Sequence, residues 1–216
     1  MTPTQTLHPG WTVQLAIHRA VRRDARRLSA ALAADVGQAS AKAIRDYWNE
    51  TAAQLHDHHV LEDRVVWPLM AQRLGHRVDA LLSRNAHEHQ EMAAAMNSFD
   101  IDLAAEIADT TAARASLQQL VAAIETHLGH EESDVLPLIP EAFTLEDIAF
   151  FSDESAKTNP PNKFLPWLLD DATDTDAAFF TERLPAVVRI ELETHWAPQR
   201  RITVDAIRLY RAAAAT

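Results

Sequence analysis

Apolar residues recur every three to four positions over most of the first 136 residues, the spacing of helices with one buried face. Alanine, leucine, glutamate, glutamine and arginine dominate this stretch and β-branched runs are short, which favours helix further. Four helices are predicted. The first runs from about Gly10 to Ala34 with Trp11, Leu15, Val21, Ala25, Leu28 and Leu32 on one stripe, and stops near Gly37. The second starts at Ser40 as its cap, passes Trp48 and Leu55, and is broken by Pro68, whose nitrogen has no hydrogen for the ladder; its last turn drifts on to Gly75. The third covers about Val78 to Asn97, and the fourth begins at Thr110 or Thr111 and meets Pro137. Long helices with short connections predict an all-α, antiparallel up-and-down four-helix bundle over residues 1–140.

Beyond Pro140 the texture changes. A short helix is expected after Thr144, then a polar break at Ser155–Asn162, a segment Phe164–Leu169, and two helices, Thr175–Leu184 and Ala186–Tyr210, the second interrupted at Pro198. Phe150, Phe151, Phe164, Trp167, Phe179 and Phe180 need packing partners, so residues 141–216 are expected to form a C-terminal helical extension laid on the bundle.

Composition removes whole classes of chemistry. The formal net charge of −11 opposes attraction to phosphates or an anionic membrane surface, so neither nucleic acid nor membrane is an expected partner. The chain has no cysteine, which excludes disulfides, thiolate metal sites and cysteine nucleophiles. Gly10, Gly37, Gly75 and Gly129 are isolated from one another, so no phosphate-cradling glycine loop can be written. The first 18 residues carry no Lys or Arg and do not read as a signal peptide; no apolar run reaches the ~18 residues of a membrane span. A soluble, cytoplasmic protein is expected.

The eleven histidines are more numerous than composition alone would give, and their placement carries the chemistry. His58-His59-Val60-Leu61-Glu62-Asp63 leading to Trp67-Pro68-Leu69 matches His127-Leu128-Gly129-His130-Glu131-Glu132 leading to Leu136-Pro137-Leu138, an internal repeat. Each copy sets His and Glu four residues apart, one helical turn, on one face. His58 and Glu62 share the stripe of Leu55, Val65, Val66 and Leu69, and His127 and Glu131 that of Leu120, Ile124, Val135 and Leu138. These side chains therefore point inward. Two buried carboxylates in one bundle call for a cation, because a buried charge costs several kcal/mol unless it is compensated.

The other two helices each carry a histidine on the apolar stripe, His18 between Leu15 and Val21, and His89 among Leu82, Ala86, Met92 and Met96. If the connections turn at Gly37, at Gly75 and near Ala108, then His18, His58, His89 and His127 lie level. Such a layer is where a helical bundle builds its metal sites.

This H…HxxxE…H…HxxxE pattern resembles the hemerythrin-like (HHE cation-binding) domain family, over roughly residues 8–140. The resemblance implies a non-haem centre of two iron ions bridged by two carboxylates, which map to Glu62 and Glu131, with His18, His58, His89 and His127 as terminal ligands. Oxygen-carrying hemerythrins have a second histidine four residues from the third-helix one. Here those positions are Asn85 and Ala93, so one ligand is missing, and His59, three residues from Glu62 on the same side of the helix, is expected to supply it. Manganese and zinc also suit a histidine and carboxylate donor set.

Rival metal chemistries fail on spacing. No Glu-x-x-His occurs for a ferritin-like centre, and no His-Glu-x-x-His for a zinc protease. Asp63 and Glu132 are expected to orient neighbouring histidines, while His56, His76, His87 and His130 point off the ligand stripes. Arg19, Arg22, Arg23, Arg26 and Arg27 read as a solvated basic face. The expected function is binding or reduction of a small oxidant, a diatomic or peroxide ligand such as dioxygen, nitric oxide or peroxide, at an open iron position. The alternative is an iron or oxygen sensor or carrier that signals through the extension.

Overall fold

A computed structural model describes residues 8–33, 38–105 and 111–213; the expected turns at Gly37 and Ala108 and the start at Thr110 lie outside them. The described residues are helical with no strand: α1 (Pro9–Ala33), α2 (Gln38–Leu61), α3 (Trp67–Leu74), α4 (Asp79–Ala105), α5 (Thr111–His130), α6 (Ile139–Ala142), α7 (Leu145–Thr158), α8 (Pro161–Leu168), α9 (Asp174–Thr181), α10 (Ala186–Glu191) and α11 (Ala197–Ala213). Among them no helix is long and apolar enough to cross a membrane. The long helices pack pairwise, α1 on α2 and α5, α2 on α4, and α4 on α5. Ser40 is not a cap, since α2 has begun by Gln38, and α4 runs eight residues beyond the expected Asn97. Gly75 closes α3 at φ +62°, a conformation that favours glycine, as the hairpin there requires.

Proline does not end the second helix. The segment Glu62–Val66 is a π-helical turn in which the Trp67 N–H bonds the Glu62 carbonyl five residues back, and the chain continues into α3 through Pro68. Widening the turn relieves the clash of a proline ring with the carbonyl four residues back. Glu131–Val135 repeats the device before Pro137, and Leu192–Trp196 before Pro198. The sequence repeat is thus a structural repeat. The third turn joins α10 to α11 across the expected interruption, with Leu192 standing where Glu62 and Glu131 stand.

Two apolar clusters form the core. Leu28, Leu32, Trp48, Phe99, Leu117 and Leu120 belong to the larger, and Val66, Trp67, Met70, Val135, Leu136 and Phe143 to the other. Along α2 and its continuation, His58 and Glu62 fall between Leu55 of the first cluster and Val66 of the second. The extension enters both clusters, through Trp167, Leu168, Val204 and Ile207 in the first and Phe151 in the second. The Thr144 hydroxyl caps α7 in a reciprocal box with Asp147, and α7 carries on to Thr158, so the expected polar break narrows to Asn159–Pro160. Phe150 stays 48% exposed, against the expectation that every aromatic of the extension is packed.

The arginine stripe of α1 is not a solvated face. Arg23 is buried and donates to the Asp170 carbonyl, Arg27 reaches Asp170 (2.5 Å) and Asp171, and Arg19 grips Asp176 at 2.6 and 2.9 Å. Arg22 pairs with Glu125 (2.9 Å) and Glu132 (2.5 Å). Of the five, only Arg26 lies exposed with no ion pair among the described residues. At the centre of this interface sits Asp24, fully buried, which accepts from Arg23 Nε (2.8 Å), the Tyr47 hydroxyl (2.5 Å), Thr51 (3.1 Å), the Trp167 indole (2.8 Å) and Arg200 (3.3 Å).

Candidate metal centre

All seven residues singled out from the sequence meet in one place. They fall into two groups, His59, Glu62, His89 and His127 in one and His18, His58 and Glu131 in the other, with potential ligand atoms within 4.8 Å of one another inside each group. Every one of the seven is buried. The imidazoles crowd together: ring centroids are 4.2 Å apart for His59 and His89, 4.7 Å for His89 and His127, and 5.7 Å for His18 and His58.

The two carboxylates face both groups. Glu62 Oε1 lies 3.3 Å from His58 Nε2, and its Oε2 lies 3.6 Å from His89 Nε2. Glu131 Oε2 lies 3.0 Å from His18 Nε2 and 3.8 Å from His127 Nε2. The i,i+4 spacing at the end of each α-helix brings each histidine over its glutamate, and the π turn begins at the glutamate itself.

Second partners fix how the rings stand. His18 Nδ1 donates to Glu132 (2.9 Å), His89 Nδ1 to Asp63 (2.9 Å) and His127 Nδ1 to Glu88 (3.2 Å). A carboxylate can only accept, so each Nδ1 carries a proton, which leaves each Nε2 as the nitrogen turned to the interior. Asp63 and Glu132 thus stand where they were expected. Glu88 was not foreseen, because it lies one residue before His89 and off its stripe. It also accepts from His130 Nδ1 at 2.6 Å, so His130, although half-exposed, is tied to the site's periphery. His56, His76 and His87 are exposed. Gln14 was missed as well; its amide donates to Glu62 Oε1 at 2.7 Å, and its place one turn before His18 on the same face was the only signal for it.

The inward-facing atoms have no hydrogen-bond partner among the described residues. Nε2 of His18, His58, His59, His89 and His127, both oxygens of Glu131 and Oε2 of Glu62 are buried and unsatisfied, although buried polar groups are otherwise paired almost without exception. Burial disfavours the charged forms throughout. It depresses His58 to about 3 and His59 well below the usual imidazole range, so both rings are neutral donors. Burial, and then the charge of Glu131, push Glu62 well above the carboxylate range. Against burial, the close approach of His18 at 3.0 Å and its charge, with the other imidazoles, hold Glu131 down at about 2. The surrounding imidazoles can therefore keep one carboxylate ionised; ionising both takes more positive charge, which a bound cation supplies.

Comparison with curated proteins and with solved structures gives no match. The family model of the hemerythrin HHE cation-binding domain matches residues 11–139, the span that carries all seven inward-facing side chains, and the chain belongs to that family.

Proposed function

We propose that α1, α2, α4 and α5 form an antiparallel four-helix bundle holding two iron ions in a non-haem, carboxylate-bridged centre, and that the protein binds or reduces a small oxidant there. The single observation that carries the reading is the set of eight buried nitrogen and oxygen atoms, from five histidines and two glutamates, that converge without a partner. Pairwise packing of α1, α2, α4 and α5 supports the bundle. The contact of each glutamate with histidines of both groups supports Glu62 and Glu131 as the bridges.

A nitrogen and oxygen donor set without sulfur suits iron, and also manganese and zinc. His59, His89, His127 and Glu62 would hold one ion, and His18, His58 and Glu131 the other, with the glutamates shared. The three-membered group is the shorter of the two, which leaves room for an exogenous ligand on that side. When bound, iron supplies reversible one-electron chemistry. The chain's own residues orient His18, His89 and His127 through Glu132, Asp63 and Glu88, burial keeps His58 and His59 neutral, and Gln14 fixes Glu62.

Metal analysis of protein reconstituted with ferrous iron in air tests the reading. Two irons per chain and the near-ultraviolet absorption of a coupled ferric pair are expected; saturation at one metal or none refutes the dinuclear centre. Glu62→Ala and Glu131→Ala should each lose more metal than His18→Ala, because a shared ligand serves both ions. Catalytic consumption of added peroxide supports reduction as the role, whereas a single stoichiometric change of spectrum supports binding or sensing.

A further inference from the structure

Beside the centre, between the long helices and the extension, lies a cavity of about 550 Å³, in the middle of the ~300–1,000 Å³ typical of small-molecule sites. Gly10, Val13, Gln14 and Ile17, successive positions of one α1 stripe, make one wall, and His58 and Glu62 join it from the second helix. Ile148, Phe151, Phe164 and Leu165 close it from α7 and α8, and Phe180, Leu184 and Val188 from the segments that follow. The cavity therefore exists only because the extension is docked, and two of the seven converging side chains of the metal centre form part of its surface.

The chemistry of the walls selects the occupant. Gln14 is engaged with Glu62 at 2.7 Å, Gln54 and Asn159 satisfy each other amide to amide at 2.6 and 3.2 Å, and Arg183 donates to the Phe179 carbonyl at 2.6 Å while lying 4.0 Å over the Phe179 ring. Ser152 and Ser155 add two hydroxyls; the remaining lining is overwhelmingly aliphatic and aromatic. Most of this wall offers water none of the two to four polar partners it needs, and the cation of the lining, Arg183, is exposed and turned onto the Phe179 ring and carbonyl. A peptide helix longer than about one turn is excluded by size, since a single turn, ~5.4 Å long and ~10 Å across, already takes up most of the volume.

We propose that this cavity is a binding site for an uncharged, largely apolar small molecule, an aliphatic or aromatic compound that lies against the His58 and Glu62 edge of the metal centre. Its place next to the centre rests on the metal-site reading above; its existence as an apolar site does not.

N-phenyl-1-naphthylamine, a neutral apolar fluorophore, is the direct probe, titrated into the full-length protein with and without metal. Saturable binding of one molecule per chain is expected in both, with enhanced, blue-shifted emission, and decan-1-ol should displace it. Val13→Phe and Val188→Trp fill the cavity from opposite walls without touching the metal centre, and each should weaken probe binding by about tenfold or more while metal content and helicity stay unchanged. In cobalt-substituted protein, decan-1-ol should shift the visible d–d bands of the wild type and leave those of Val13→Phe unmoved. Absence of saturable probe binding, or binding that neither variant weakens, overturns the site even if two metals are bound. Probe binding with no spectral response in protein holding cobalt overturns the juxtaposition. Probe binding in a protein that takes up no metal at all overturns the metal reading instead and leaves an apolar site standing.

Discussion

Replacing Asp24 by alanine tests how the extension is held to the long helices. Asp24 is fully buried and gathers five donors, two of them the guanidinium groups of Arg23 and Arg200. Arg200 keeps Glu50 at 2.5 Å and Asp170 at 3.4 Å after the substitution, and Arg23 keeps the Asp170 carbonyl. The Trp167 indole N–H and the Tyr47 hydroxyl proton lose the acceptor shown for them. Removing one partner of a buried charged pair costs about 3–5 kcal/mol, and a buried donor left alone about 1–3 kcal/mol. Because the remaining acids soften the first loss and these terms overlap, Asp24→Ala should destabilise the fold by about 3–5 kcal/mol in total. For a chain of this size, that lowers Tm by about 6–20 °C.

The sign of the pH dependence follows from the shift of Asp24. Burial opposes its ionisation, but the charges of Arg23 and Arg200 outweigh it and hold the folded-state pKa below the usual carboxylate range. Its contribution is therefore complete above the ordinary aspartate value of about 3.9 and is lost as pH falls below that toward the folded value. Urea denaturation of metal-stripped protein at a series of pH values measures the effect free of metal linkage. The gap between wild type and variant should be constant from pH 7 to about 5 and should close below about 4. A loss under about 1 kcal/mol at neutral pH, or a gap that widens on acidification, would refute the assignment of Asp24 as the charged centre of this interface. Metal content of the folded variant should be unchanged, since no donor of Asp24 is a member of the metal centre.

Other outcomes follow from the site. Since Glu62 is raised well above and His18 is raised above their ordinary values, metal uptake in weakly buffered solution near pH 7 should release about one proton or more per chain, read with a pH indicator; uptake without release contradicts these upward shifts. Glu88→Ala removes the Nδ1 partner of His127 and should lower metal affinity by about 10–100-fold at unchanged stoichiometry in a competition titration with a chelator. His59→Ala should keep the fold and at least one metal while altering the optical spectrum and its response to azide, whereas His56→Ala should change neither. Truncation after Pro140 removes Trp167, Leu168, Val204 and Ile207 from the core and strips Asp24 of two donors, so the shortened chain should aggregate or melt well below the full chain while retaining metal binding. Loss of metal from a soluble, helical truncation would show that the extension helps to build the centre.

What could be read from the sequence was local. A period of 3.6 residues marks helix and buried face wherever it is strong, and His and Glu four residues apart fall on one face whatever the rest of the chain does. That, with the repeat at His58 and His127, was enough to single out six of the seven residues that the fold brings together. His59 came through the resemblance to the family, whose pattern left one ligand to find, and its separation of three from Glu62 then put it on the right side of the helix. The same local reasoning misjudged Pro68, Pro137 and Pro198. A missing N–H predicts a broken ladder, but one widened turn keeps the helix running, and whether it does so depends on the packing that rewards continuation.

The tertiary structure decided everything that depends on residues distant along the chain. The fates of Arg19 and Arg27 were invisible because their acids, Asp170, Asp171 and Asp176, come from the extension some 140–160 positions away. The partners Gln14 with Glu62 and Glu88 with His127 are separated by 48 and 39 residues, and no periodicity relates them. The apolar cavity exists only where two segments meet without filling the space between them. Periodicity fixes which way a side chain points from its own helix; what stands opposite is set by how the helices pack, and that packing determines which buried charges are compensated and which atoms are left to hold a cation.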